Sequence, residues 1–110
     1  VGKNEREKNQ LLKDAKLLEK NGVFAIVLEC IRTPIAKLIT SEIKIPTIGI
    51  GSSAYCDGQV LVTDDLIGLN STNIRFVKKF INIKKFIKKG LKKFKYEVKL
   101  KKYPSKKYSY

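Results

Sequence analysis

The chain has 110 residues, of which 43% are hydrophobic and 31% charged, and its formal net charge is +14. That length suits one core and is too short for two ordinary domains. The apolar runs fall well short of the roughly 18 residues that a membrane-spanning helix needs. The first ten residues lack the apolar centre of a signal peptide, so we expect the cytoplasm and no membrane partner. The chain begins at Val1 and contains no methionine, which predicts a fragment, a processed product or part of a split gene.

Histidine is absent, and the two cysteines, Cys30 and Cys56, lie 26 positions apart. A zinc site of the usual Cys/His kind is therefore excluded, and reduced thiols are expected.

The positive charge is confined to one part of the chain. Residues 72–110 contain 15 Lys/Arg and a single acid, Glu97, whereas residues 1–71 contain nine basic and nine acidic residues. We therefore expect two parts: a neutral folded part, residues 1–71, and a basic part, residues 72–110.

The predicted elements begin with a helix. Apolar residues recur at helical spacing between residues 4 and 21, with Asn4 as the cap and Asn21-Gly22 as a left-handed stop. The apolar run 24–29 predicts a buried strand. Thr33-Pro34 then opens a second helix, with the hydroxyl at the cap and proline in the first turn, and this helix runs to about Glu42.

A second buried strand is predicted over residues 46–51, and a further short strand over 59–63. Helices alternating with strands are typical of a parallel sheet, but two parallel strands cannot close a domain alone. The missing strands must come from another chain or from the rest of a barrel or open sheet. From Ile74 onwards, apolar residues among lysine pairs predict two basic amphipathic helices, broken at Gly90, followed by a flexible end, YPSKKYSY.

Glu29 stands at the end of an apolar strand, where a charge is costly unless it is paired or used. In parallel α/β folds, the carboxyl ends of strands and the loops after them hold the active site. Two interpretations remain open on the pattern alone. Glu29 caps the following helix or pairs with Arg32 or Lys37, or it is a general base held near apolar walls.

A second candidate is the stretch GIGSSAYCDGQ, residues 49–59. Its glycines permit either a close approach to a ligand or simply tight packing, and the pattern completes neither a dinucleotide-binding fingerprint nor a P-loop. Adjacent Asp64 and Asp65 favour a helix cap over a shared divalent cation.

The ordered segments VLECI, IAKLIT, IPTIGIG, CDGQVLV, a DD pair followed by IGL, RFVKKF and YPSKKYSY resemble the C-terminal half of the ketopantoate hydroxymethyltransferase family. The resemblance runs through essentially the whole chain. It departs from the family pattern at Ser52 and Ser53, where the family has alanine and glycine, at Asp64, where it has histidine, and at Ile74, where it has proline. The closing segment has Lys106, Lys107 and Tyr108 where the family has acids and a histidine.

This resemblance implies the C-terminal half of a TIM (β/α)8 barrel with C-terminal basic helices. It implies an enzyme that transfers a hydroxymethyl group from 5,10-methylenetetrahydrofolate to 3-methyl-2-oxobutanoate with the help of Mg²⁺, and it places the catalytic base on Glu29. The metal-binding aspartates and other substrate-binding residues would lie upstream of Val1. We therefore expect this chain alone to bind no cofactor and to be inactive without its partner, the N-terminal half of the barrel. The complete protein is expected to be a homo-oligomer.

The sequence also permits functions other than that of an enzyme. The lysine-rich part could hold nucleic acid or lie on an anionic membrane surface, but a solvated basic face is the preferred interpretation. A decayed gene product without activity is a further alternative. If the chain is half a barrel, apolar area should be exposed along residues 24–27 and 46–50.

Overall fold

The computed structural model describes residues 1–71 and 73–110. In chain order its elements are α1 (Glu5–Lys20), β1 (Ile26–Glu29), α2 (Thr33–Glu42), β2 (Thr47–Ile50), β3 (Gly58–Gln59), α3 (Thr63–Leu66), α4 (Ile83–Lys99) and a 3-10 turn (Lys106–Tyr108).

The three strands form one parallel sheet in the order β1-β2-β3. Ile26 pairs with Thr47 and Glu29 with Ile50, while Ile48 pairs with Gly58. The predicted parallel sheet is thus confirmed, and the fold class is α/β, a class to which TIM barrels belong.

The core lies on one face of this sheet. Ile26 and Leu28 of β1 point towards the apolar faces of α1 and α2, and the core cluster has these buried members: Ala15, Ile26, Leu28, Ile31, Ile35, Ala36, Ile39, Ile43 and Cys56. Helical spacing in α2 places Ile35, Ala36 and Ile39 on one side, which explains why they are the buried residues of that helix.

The described residues divide into two units. The sheet unit comprises Val1–Leu61 with Ile74–Val77, and the basic unit comprises the described residues of Val62–Asn73 and Lys78–Tyr110. The predicted division into residues 1–71 and 72–110 stays a prediction, because the presence of two units does not show that either part folds by itself.

The start and end of α1 confirm the sequence prediction. The Asn4 side chain accepts a hydrogen bond from the backbone N–H of Glu7, and Asn21 closes the helix before Gly22, which has φ +84°. In α2, by contrast, the predicted hydroxyl cap is wrong: Arg32 occupies the cap position without a side-chain hydrogen bond, and Thr33 is already helical.

Two predicted strands are shorter than expected. The strand predicted over 24–29 begins only at Ile26, and the one predicted over 59–63 is limited to Gly58–Gln59, because Thr63 begins α3. Phe24 is 88% exposed, so the N-terminal part of that apolar run has no partner strand or core to order it as sheet.

The predicted break at Gly90 is also wrong. A single helix, α4, runs through Gly90 from Ile83 to Lys99, and residues 74–82, where the first of the two predicted helices would begin, form a turn and irregular segments. One glycine costs a helix about 1 kcal/mol, which the eight lysines, Leu91 and Glu97, all good helix formers, help to offset. None of the helices described here is both long and apolar enough to cross a bilayer.

Candidate functional site

The carboxyl edge of the sheet brings together the residues that the sequence pattern singled out. Glu29 ends β1, Ile50 ends β2, and their Cα positions are paired. The backbone N–H of Cys30 continues the ladder by donating to the Ile50 carbonyl at 2.9 Å. Glu29 and the glycine-containing loop that begins at Gly51 are therefore neighbours at one edge, as the positions of active sites in parallel α/β proteins predict.

The two faces of the sheet differ in burial. Because paired residues of parallel strands point to the same side, Ile26, Leu28 and Thr47 share the helix-covered face, and all three are buried. Val27 and Glu29 share the opposite face, and Val27 is 61% exposed. We call this second side the open face.

Exposure of apolar residues on the strands matches the half-barrel expectation in part. Phe24 and Val27 are exposed as predicted, whereas Ile26 is buried against the helices. On β2, Ile48 and Ile50 are half-buried, and Thr47 and Gly49 are buried. The open face thus carries apolar side chains on both strands around a carboxylate.

The Glu29 side chain is exposed, and it forms no hydrogen bond or ion pair with any residue that the structure describes. Neither Arg32 nor Lys37, the partners that the simpler interpretation proposed, contacts it; the Lys37 ammonium lies instead 4.2 Å from the centre of the Tyr55 ring. It does not cap α2 either, because no side chain caps that helix. A carboxylate on the open face without a partner is available to a ligand.

The glycine pair is explained by close packing within the sheet unit. A Cβ on Gly49 would lie 2.8 Å from the amide of Gln59, and one on Gly51 would lie 2.5 Å from the Phe76 ring. Gly51 also has φ +58°, a conformation that favours glycine. Of the two interpretations left open for these glycines, the structure supports tight packing.

Polar contacts tie this loop to the end of β1. The Ser52 hydroxyl donates to the Ile31 carbonyl at 2.9 Å, and the Gln59 amide donates to the Ser53 carbonyl at 2.7 Å. Ser53 is buried, and its hydroxyl accepts from the backbone N–H of Tyr55. The serines that depart from the family pattern are thus integrated into the loop by hydrogen bonds.

The opposite, amino edge of the sheet holds a polar cluster that the sequence reasoning missed. Asp57 Oδ2 accepts from the Thr47 backbone N–H at 2.8 Å and from its hydroxyl at 3.1 Å. The Thr47 hydroxyl also contacts that of Thr40 at 2.8 Å. The backbone N–H of Thr47, followed by its hydroxyl, holds the pKa of the Asp57 carboxyl below its usual range. This cluster joins α2, β2 and the start of β3.

Other candidates do not form a site among the described residues. Asp64 and Asp65 lie in the first turn of α3, but the predicted helix cap is wrong, because Val62 occupies the cap position and makes no side-chain hydrogen bond there. The Asn70 amide donates to the buried Asp65 at 2.8 Å. Both cysteines are free thiols, Cys30 exposed and Cys56 buried.

Over the ranges 1–71 and 73–110, no three His, Cys, Asp or Glu residues cluster closely enough to hold a metal ion. The described residues therefore offer no cluster of three protein donors for Mg²⁺. A cleft of about 570 Å³ lies between the starts of α1 and α2, and Glu29 is not among its lining residues, which include Lys3, Arg32 and Leu38.

In the basic unit, α4 has a charged side and an apolar side. Its apolar residues Phe86, Ile87, Leu91, Phe94 and Val98 are 45–68% exposed, and no residue of the helix is buried. Tyr103 packs edge-on against Phe94, with 5.5 Å between ring centres. Lys93 is near Glu97, the only acid of this segment, at 3.9 Å.

A parallel sheet with helices on one face, and a carboxylate on the other face at the carboxyl edge, is the arrangement of α/β enzymes. The sequence profile described as "Ketopantoate hydroxymethyltransferase" matches residues 1–106. The chain therefore belongs to the ketopantoate hydroxymethyltransferase family, which is a family of transferases.

Several curated relatives have the same name, 3-methyl-2-oxobutanoate hydroxymethyltransferase. The protein of Pelagibacter ubique (strain HTCC1062) is 57% identical over 109 residues, which are 99% of this chain and 42% of the relative. That of Pyrococcus furiosus is 48% identical, over 96% of this chain and 38% of the relative. The protein of Clostridium botulinum (strain 657) is 47% identical, over 99% of this chain and 40% of the relative. The chain thus spans about two fifths of the length of these relatives.

Proposed function

We propose that the chain is the C-terminal portion of an enzyme that transfers a one-carbon unit from 5,10-methylenetetrahydrofolate to 3-methyl-2-oxobutanoate, forming 2-dehydropantoate. The observation that carries the proposal is the placement of Glu29: it ends a parallel strand, lies on the open face and has no partner among the described residues. The names of the relatives support the same reaction.

Glu29 is assigned the role of general base. Its carboxylate removes the proton from C3 of the keto acid, and the resulting enolate carbon forms the new C–C bond to the one-carbon unit. The bonds between that unit and the folate nitrogens break, which releases tetrahydrofolate, and water supplies the oxygen of the new hydroxymethyl group. Val27, Ile48 and Ile50 lie on the same face as Glu29, so the aliphatic part of the substrate would meet apolar side chains there. Such surroundings strengthen the electrostatic effect of each charged group by excluding water.

The remaining three fifths of the protein are assigned the rest of the barrel. The order β1-β2-β3 leaves β1 and β3 as edges, and the open face carries the exposed Val27. Unpaired strand edges and an uncovered apolar face are both unfavourable in water. Further strands that pair at these edges and close the sheet into a barrel would satisfy the edges and enclose the open face. Mg²⁺ is assigned to that portion, because the described residues offer no cluster of three protein donors for it. Cytoplasmic location and homo-oligomerisation remain predictions.

The test uses a joined protein, in which the preceding portion of the Pelagibacter relative is fused in register to Val1. The 57% identity makes that relative a suitable source of matching barrel strands. We expect the joined protein to restore growth of a pantothenate auxotroph. We expect Glu29→Gln to remove that activity, by roughly 10²–10⁴-fold in rate, since it deletes the proton acceptor.

The matched control is Glu42→Gln, which makes the same change in charge and shape on α2. Glu42 is half-exposed and pairs with Lys16 at 2.6 Å, a surface contact of little energetic weight. Growth should be retained by this variant. If Glu29→Gln also retained full activity, Glu29 would not be the base.

A second candidate function rests on the lysines of α4. Eight lysines occupy this 17-residue helix, enough to neutralise phosphates without reading sequence. Under this alternative the chain is a non-enzymatic protein that associates with nucleic acid, or a decayed fragment that retains only its charge. Tight, stoichiometric retention on DNA at physiological salt by an inactive joined protein would favour it; release at modest ionic strength would favour a solvated basic face.

A further inference from the structure

Among the residues that the structure describes, none contacts the Glu29 side chain through a hydrogen bond or ion pair, so its direction must be set in another way. Among the described residues outside glycine, only Cys30 and Lys101 have a positive φ, and both have φ 53°. Cys30 directly follows Glu29. A left-handed conformation is unfavourable for a residue with a Cβ, and such residues concentrate at functional sites.

Packing does not explain the cysteine at this place. Its side chain is exposed and its thiol is free, so a glycine would serve the turn at lower conformational cost. The turn itself, however, is held on both sides. The Cys30 N–H donates to the Ile50 carbonyl at 2.9 Å, and the Cys30 carbonyl accepts from the Val1 amino group at 2.8 Å. The carbonyl of the following residue, Ile31, accepts from the Ser52 hydroxyl at 2.9 Å.

These contacts have a consequence for Glu29. The ladder to β2 keeps its Cα opposite that of Ile50, and the left-handed residue turns the chain away from the strand at once, towards α2 at Thr33. The Cα–Cβ direction of Glu29 is therefore fixed by backbone geometry on both sides, and it points to the open face.

We propose that Cys30 is a positioning residue that acts through its left-handed backbone, not through its thiol, to aim Glu29 at the substrate. This inference rests on the proposed role of Glu29 as the base. It predicts that substitutions at Cys30 rank by their tolerance of positive φ. Glycine and asparagine should preserve the direction of the Glu29 side chain, whereas β-branched valine and threonine should change it.

The experiment measures proton removal directly. The joined protein is incubated with 3-methyl-2-oxobutanoate in D₂O, and NMR follows the loss of the C3 hydrogen, alongside kcat and KM for the full reaction. For Cys30→Val we expect the exchange rate and kcat per folded enzyme to fall roughly 10- to 100-fold with KM nearly constant, because small misplacements of a reacting group cost rates of that size. For Cys30→Gly both should stay within about twofold of the parent.

Lys101→Val is the matched control, because it places the same side chain at the same φ in the basic unit. Its thermal midpoint should fall by a few degrees, as for Cys30→Val, with exchange unchanged. If Cys30→Val does not fold, Cys30→Asn and Cys30→Thr provide a polar pair with the same contrast.

The outcomes separate the two proposals. Exchange at the parental rate in Cys30→Val or Cys30→Thr, with Glu29→Gln inactive, would overturn only the positioning role. The same holds if Cys30→Gly were as slow as Cys30→Val, since the thiol itself would then matter. Full exchange in Glu29→Gln would overturn the base and its positioning together.

Discussion

The sheet unit and the basic unit differ in how their side chains are used. In the sheet unit, nine core residues are buried, and carboxylates and hydroxyls make specific contacts such as Thr47 with Asp57. In α4 of the basic unit no residue is buried, although this helix is the most strongly amphipathic of the chain. The net charge of the protein therefore belongs to a different part of the sequence from the residues that are candidates for chemistry. A charge excess in one part of a chain is weak evidence of function when the candidate catalytic residue, here Glu29, lies in a neutral part.

The largest expected contrast is between two large-to-small changes, measured as the free energy of unfolding of the joined protein. Ile39 is 1% exposed, so Ile39→Ala should cost about 2–5 kcal/mol through lost burial and the cavity left behind. Leu91 is 63% exposed, so Leu91→Ala should change stability by less than about 0.5 kcal/mol. A large cost at Leu91 would show that the apolar side of α4 is covered in the joined protein, and the comparison between the units would fail.

Alanine substitutions at two glycines should have opposite effects on the free energy of unfolding. Gly51→Ala should destabilise by about 1–3 kcal/mol, because φ is +58° and the new Cβ would overlap the Phe76 ring. Gly90→Ala should stabilise by about 0.5–1 kcal/mol, because Gly90 lies inside α4 and, apart from the local helix backbone, no atom of the described residues lies within 4 Å of the added carbon. Denaturant unfolding measures both. Combining Gly51→Ala with Phe76→Ala should recover the steric part of the loss, and no recovery would contradict the packing assigned to Phe76.

Acid should weaken the sheet unit through Asp57. Its folded pKa is lowered by hydrogen bonds from Thr47, so its contribution is present above the unfolded value and is lost as pH falls through the folded pKa. Asp57→Asn should therefore lower the thermal midpoint at neutral pH, and its difference from the parent should shrink below about pH 4. Thr47→Val, which keeps the backbone donor, should show a smaller effect of the same sign. A difference that is constant with pH would contradict this account.

The smallest expected effect concerns the lysines. Replacing Lys88 and Lys92 by glutamine should change the free energy of unfolding by less than about 0.5 kcal/mol and should lower the salt concentration that elutes the joined protein from an anionic resin. Replacing Lys13 and Lys20 of α1 makes the same change in net charge. If the two pairs shift elution equally, retention reflects net charge alone; a larger shift from the α4 pair would sharpen the contrast between the units.

Much of the sheet unit could be predicted from local sequence. The caps of α1, the span of α2 and the parallel alternation all follow from periodicity and capping residues, which act within a few positions. The predicted break at Gly90 failed because the propensity of one residue was given more weight than the helical preference of its neighbours. The strand predicted from residue 24 failed at its start because hydrophobicity alone does not show where a partner strand begins.

The sequence by itself determined the order of the first four elements, α1, β1, α2 and β2, the family resemblance and the place of Glu29 at a strand end. Only the tertiary structure decided that Glu29 is free of Arg32 and Lys37, that Phe76 covers Gly51, and that Asp57 binds Thr47. The physical reason is the number of sequence positions that separate the interacting residues. Helix spacing and capping are encoded over three or four residues, whereas these contacts join residues 10 to 25 positions apart and depend on strand register and on the left-handed turn at Cys30, which no local pattern specifies.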